Sequence, residues 1–141
     1  MIRVLVTGDR NWDNRLGLFT VLDSLLSSGH EIVIIEGGAS GADALAREWA
    51  IFREQTFIEV RAKWSTIGRG AGPERNERMA IVWKPDRVAA FHDNIEVSKG
   101  TKSMIAIAER LGIPVKLFTS ELISNMLRER SGQTAIRTNE A

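Results

Sequence analysis

Glu36-Gly37-Gly38-Ala39-Ser40-Gly41-Ala42-Asp43 (EGGASGAD) stands between the apolar run IVII, residues 32–35, and ALAREWAIF, residues 44–52, in which Leu45, Trp49 and Phe52 keep one helical face. A buried strand that feeds a helix through a glycine-rich turn is the repeating unit of a parallel sheet. One glycine with positive φ would make the turn, so three raise the question of what else the loop does. Glycines let backbone N–H groups approach a ligand closely at a helix N-terminus, where partial positive charge favours an anion. Asp43, in the first turn of that helix, would stabilise its N-terminus or meet a ligand.

The same pattern repeats outward from this loop. Ile2–Val6, Ile32–Ile35, Phe57–Val60, Arg87–Phe91 and Ile113–Phe118 are short runs rich in β-branched residues. Most lack apolar/polar alternation, as expected when helices cover both faces of a sheet. Between them Leu18, Leu22, Leu25 and Leu26 share a helical face, as do Met104, Ile105, Ala108 and Leu111. Alternating strands and helices imply right-handed crossovers and an α/β, three-layer Rossmann-like fold with a mainly parallel sheet of about five strands. Residues 1–130 read as a single domain ending in a helix near Glu121–Arg130. The polar stretch 131–141 (SGQTAIRTNEA) reads as a disordered tail.

The 141 residues, 43% of them hydrophobic, suffice for one core. Lys+Arg 19 against Asp+Glu 18 leave a net charge of +1, so no bulk field argues for nucleic acid or a membrane surface. The absence of cysteine removes disulfides, thiolate metal sites and a Cys nucleophile, and fits a cytoplasmic protein. No run approaches the length of a spanning helix.

In an open parallel sheet ligands bind beyond the carboxyl ends of the strands. Four glycine-bearing junctions fall there: Thr7-Gly8-Asp9-Arg10, EGGASGAD, GRGAGPERN (residues 68–76) and SKGTKS (residues 98–103). Pro73 reads as the first residue of a helix, with Gly70, Ala71 and Gly72 at its N-terminus. Arg75 in its first turn would oppose the helix dipole unless it meets an anion, either a neighbouring glutamate such as Glu74 or Glu77, or a ligand phosphate. Ser98, Gly100 and Thr101 fit N-cap chemistry. Asp9, Asp43 and His92 are acid/base candidates. His30 and His92 lack zinc-type spacing, and neither metal nor cofactor is expected. Trp49 and Trp83 read as packing residues, while Trp12 and Trp64 lie by loops where a ring could stack on a base.

In order, the segments VTGDRNWDNR, IEGGASGADALAREWA, AKWSTIGRGAGPERNERMA and FHDNIEVSKGTKSMIAIAERLGIPV resemble the SLOG superfamily of Rossmann-like nucleotide-handling proteins, in particular its small stand-alone YspA or cpYpsA-related branch. The resemblance runs from Ile2 to Phe118. The DNA-processing protein A group is similar at Gly37-Gly38-Ala39-x-Gly41-x-Asp43, at Arg75-Asn76 and at Gly100-Thr101. The resemblance implies a sensor or ligand-handling module that binds a nucleotide or nucleotide-derived small molecule through Gly8, Asp9, Arg10, Gly37, Gly38, Gly41, Asp43, Arg75, Asn76, Gly100 and Thr101, and it implies self-association into a homo-oligomer. It leaves two alternatives open. One is a nucleotide N-glycosidase like the LOG phosphoribohydrolases, whose PGGxGTxxE motif this chain departs from: Glu36 replaces the proline, one residue is inserted before Gly41, and no glutamate stands at the catalytic place. The other is single-stranded DNA binding, with Arg10, Lys63, Arg69, Arg75 and Arg78 on phosphates.

Overall fold

The computed structural model describes residues 1–140, and for residues 133–140 only the backbone. Five strands, β1 (Ile2–Gly8), β2 (Ile32–Glu36), β3 (Thr56–Glu59), β4 (Arg87–Phe91) and β5 (Val115–Phe118), form one sheet in the order β3-β2-β1-β4-β5. Every adjacent pair is parallel. The chain builds outward from β1 through β2 to β3, then returns to the other side of β1 for β4 and β5. The order therefore reverses between β1 and β4, and the expected α/β architecture is the one observed.

The strands read as unbroken apolar runs because both faces are covered. Val4 and Val6 of β1, with Ile32 and Ile34 of β2, join a cluster with Leu18 and Leu22 of α1 (Arg15–Leu26), Trp49 of α2 (Ala42–Phe52) and Ile123 of α6 (Ser120–Glu140). Leu5 and Ile35 point the other way, to Met79 of α4 (Ala71–Ile81) and to Met104 and Ala108 of α5 (Gly100–Arg110). A single turn of helix, α3 (Trp64–Ile67), and a 3-10 turn at Gly68–Gly70 link β3 to α4. No helix among the described residues is long and apolar enough to cross a membrane.

Several boundaries differ from the sequence reading for local reasons. β1 runs on to Gly8 because Thr7 and Gly8 pair with Ala90 and Phe91 of β4. β5 starts at Val115, since the Ile113 N–H is taken by the Ala108 carbonyl at the end of α5 and proline at 114 has none. α4 begins at Ala71, which makes Pro73 its third residue instead of its first. Proline fits there equally well, because the first-turn N–H groups have no partner within the helix in any case. Phe52 ends α2 beyond the sheet and is 59% exposed, with the Arg15 guanidinium 5.2 Å from its ring. α6 is capped by Asp93, whose carboxylate accepts from the Ser120 N–H and hydroxyl, and its backbone stays helical through Glu140. The tail expected at 131–141 falls, from residue 133, on side chains outside those described.

Candidate functional site

The topology brings the loops after β1, β2 and β3 to one edge of the sheet, and glycine permits their close contact. A Cβ on Gly8 would lie 2.3 Å from the Phe91 carbonyl oxygen, and one on Gly41 only 2.2 Å from that of Asp9. The Asp9 carbonyl accepts the Ala42 and Trp12 N–H groups, each at 3.1 Å, and the Ser40 hydroxyl donates to the Arg10 carbonyl at 3.0 Å. Gly41 has φ +71° and Gly38 φ +80°. The first loop is thereby fastened to the second.

Within EGGASGAD the N–H groups turn inward. Gly37 and Ala39 donate to Asp43 Oδ2 at 3.1 and 3.2 Å, and Gly38 donates to Glu36 Oε1 at 2.8 Å. The expectation that the glycines bare backbone donors is therefore corrected at Gly37 and Gly38: carboxylates of the chain already hold them, and Asp43 organises the loop. Gly37 has a different requirement, since a Cβ there would lie 2.6 Å from Arg75 Nη1. Arg75 donates through Nη1 to the Gly37 carbonyl and through Nε to Asn76 Oδ1 at 3.0 Å. It pairs with neither Glu74 nor Glu77, which hold Arg78 and Arg110 respectively. It also lies in the second turn of α4, clear of the dipole penalty expected for a first-turn cation.

The electrostatics of this corner are unusual for a surface loop. Glu36 ends β2 with 0% exposure, and its Oε2 has no hydrogen-bond partner. Burial pushes its carboxyl up to about 7, aided by the nearby Asp43 and opposed by the Gly38 N–H. Asp43 is pushed up to about 6 by burial, against the pull of the Ala39 and Gly37 N–H groups and of Arg75. Burial lowers the Arg75 pKa from its usual value. Both carboxyls hold protons more tightly in the folded chain than in the unfolded one. Their contribution to stability is thus complete below pH ~4 and is lost as pH rises through 6 to 7. Glu36→Gln is expected to flatten the fall of melting temperature between pH 5 and 7.5 and to melt no lower than wild type at pH 8. Equal slopes in thermal scans across that range would refute the assignment.

Beyond the loop opens a cavity of about 460 Å³, lined by Gly37, Gly38 and Ser40, by Glu59, Arg61 and Trp64, and by Arg10 and Arg75. A narrower recess of about 60 Å³ continues past Arg10 and Arg75 to Gly8, Asp43, Asn76, Gly100 and Thr101. Nine of the eleven sequence-derived site residues line the two cavities: Gly8, Arg10, Gly37, Gly38, Asp43, Arg75, Asn76, Gly100 and Thr101. Asp9 and Gly41 serve the loop junction instead, with Asp9 Oδ1 accepting the Asn11 N–H at 2.9 Å. His92 lines neither space: it is buried, and its Nδ1 accepts the Asn94 N–H at 2.9 Å. Ser98 Oγ accepts the Thr101 N–H at 3.1 Å, the capping role expected of that junction. Trp12 packs edge-on against Phe91 and is core, whereas Trp64 is 56% exposed at the cavity. Glu59 and Arg61 escaped the sequence reading because β3 ends without a glycine to mark it. Another cavity, of about 480 Å³, lies between α1, α6 and β4–β5 with a largely aliphatic lining that includes Val21, Leu25, Val115 and Met126.

Residues 2–66, which carry the first two loops and Trp64, match the model of the family described as YspA, cpYpsA-related SLOG family. Gene 61 protein of Mycobacterium phage D29 is 37% identical over 121 residues, which span 82% of this chain and 94% of that protein. The chain belongs to the YspA, cpYpsA-related SLOG family. Among solved structures, this SLOG chain superposes on DNA processing protein A from Helicobacter pylori, described for its single-stranded DNA binding mode, with a TM-score of 0.64 at 20% identity over 92% of this chain and 73% of that one. Acinetobacter baumannii MurG gives 0.56 at 14% identity over 84% of this chain and 35% of that one. At such identities the two likenesses concern the fold.

Proposed function

We propose that this SLOG chain binds a phosphate-bearing nucleotide or nucleotide-derived ligand in the cavity at the carboxyl ends of β1, β2 and β3. The observation that carries the reading is the convergence there of three guanidinium groups, Arg10, Arg61 and Arg75, against one lining carboxylate, Glu59, beside an exposed indole. Guanidinium groups suit phosphate through paired N–H donors, and the Trp64 ring offers a face for a base. Binding is favoured over turnover because Asp9 and His92 are engaged in turns and Asp43 holds the loop. An open nucleic-acid track is less well supported, since Arg78 is held by Glu74 and by the Arg61 carbonyl. A sensing role and self-association belong to the same reading, and light scattering with and without nucleotide checks the latter.

Calorimetry with ribonucleoside 5′-diphosphates and the matching nucleosides tests the proposal. Arg10 is exposed and lines both spaces, so Arg10→Ala should fold normally and lose about 2 kcal/mol of diphosphate binding, the lower end for truncating one partner of a charge pair. Nucleoside binding should change little. Failure of every nucleotide to bind, or equal binding of nucleotides and nucleosides, would overturn it.

A further inference from the structure

Glu59 is the one lining residue whose chemistry opposes the rest of the cavity. It ends β3 in register with Glu36, the end of β2, so two carboxylates stand side by side on neighbouring strands. Arg47 Nη1 lies 3.6 Å from Glu36 Oε1 and 3.7 Å from Glu59 Oε1, beyond hydrogen-bond reach of either. Arg61 Nε approaches Glu59 Oε1 at 3.3 Å from a side chain that is 83% exposed. Among the described residues no hydrogen bond ends on the Glu59 carboxylate, which keeps its acceptor capacity for something in the cavity. An anion cannot satisfy it. A ligand that suits three arginines and this carboxylate together must carry negative charge at one end and hydroxyl or amino donors at the other.

The position narrows the choice. Glu59 Oε1 lies 2.6 Å from where a Cβ would stand on Gly38, so the carboxylate touches the glycine loop from the neighbouring strand. In dinucleotide-binding α/β sheets an acidic residue about 20 positions after the glycine loop accepts the ribose hydroxyls. Glu59 holds the corresponding place relative to Gly37 and Gly38. It does so from the strand next to the loop, with Arg10 and Arg75 lining the same cavity for phosphate.

We infer that Glu59 reads an unsubstituted ribose, accepting from its 2′-hydroxyl, so that the site takes ribonucleotides and rejects 2′-deoxy and 2′-phosphorylated ones. The inference rests on the nucleotide reading above and names the sugar that this reading leaves open. A 2′-deoxy ligand leaves the carboxylate unanswered, and a 2′-phosphate meets it with like charge.

The test is calorimetry of the full chain with ADP, GDP, CDP and UDP, their 2′-deoxy counterparts, and 2′-phosphoadenosine 5′-diphosphate. For the best-bound base, the ribonucleotide should bind at least ~10-fold tighter than its deoxy form, the range for a hydrogen bond to a charged group. Glu59→Gln should cut that preference to within about threefold, because a neutral amide is the weaker acceptor. Glu59→Ala, which removes the acceptor and the charge, should abolish the preference and ease entry of the 2′-phosphate. Equal binding of ribo and deoxy forms by wild type, or an undiminished preference in Glu59→Ala, would overturn the inference and leave nucleotide binding standing. Failure of all these nucleotides to bind would remove both.

Discussion

Gly41→Ala should cost about 3 kcal/mol or more of folding stability, because it combines a left-handed backbone with a collision between fixed atoms. At φ +71° and ψ −124° the residue occupies a region that side chains disfavour, and its Cβ would stand 2.2 Å from the Asp9 carbonyl oxygen and 2.5 Å from the Arg10 carbonyl carbon. That oxygen has little room to retreat while it accepts the Ala42 and Trp12 N–H groups. For a domain of this size the loss corresponds to a fall in melting temperature of roughly 10 °C. Gly29→Ala is the control: φ there is +89° but nothing lies within 4 Å, so only the backbone term, about 1 kcal/mol, should appear. If thermal denaturation finds the two variants equally stable, the two loops are not locked together as described.

Arg75→Ala should have the largest effect on ligand binding. The guanidinium spans Gly37 and Asn76 and lies between the open cavity and the inner recess, so it can meet a phosphate without reorganising. A loss of about 2–5 kcal/mol is expected for a phosphorylated ligand, with a much smaller loss for the nucleoside. Arg75→Lys should recover only part, since an ammonium cannot make the paired contact. The alanine variant should also lose about 1–2 kcal/mol of stability without ligand, because the Gly37 carbonyl loses its donor and buried Asp43 loses a neighbouring cation. Calorimetry on the three proteins decides the matter. Equal losses for nucleotide and nucleoside would mean that Arg75 shapes the loop and leaves phosphate alone.

The division between what the sequence revealed and what it hid has a physical basis. Strands such as Val4–Val6 and Ile32–Ile35 are apolar throughout because Val4 and Leu5 bury on opposite faces, and that pattern is local and legible. The glycines of EGGASGAD were legible as a site marker, but the direction of their N–H bonds was not. Whether Gly37 and Ala39 donate outward or to Asp43 depends on how far the helix behind them reaches back, which no spacing rule contains. The start of α4 at Ala71, two residues before Pro73, is hidden for a related reason, as all first-turn positions tolerate proline. Glu59, Arg61 and Trp64 join the site only through the pairing of β3 with β2, a long-range fact.

The most direct test of the account is an amide NMR titration of the labelled full chain with the ribonucleoside diphosphate that binds best. The largest shifts should fall on Gly37–Ser40, Arg61 and the Trp64 indole N–H, with Arg10 and Arg75 beside them. Shifts gathered on Val21, Leu25, Val115 and Met126, around the aliphatic cavity, would contradict it.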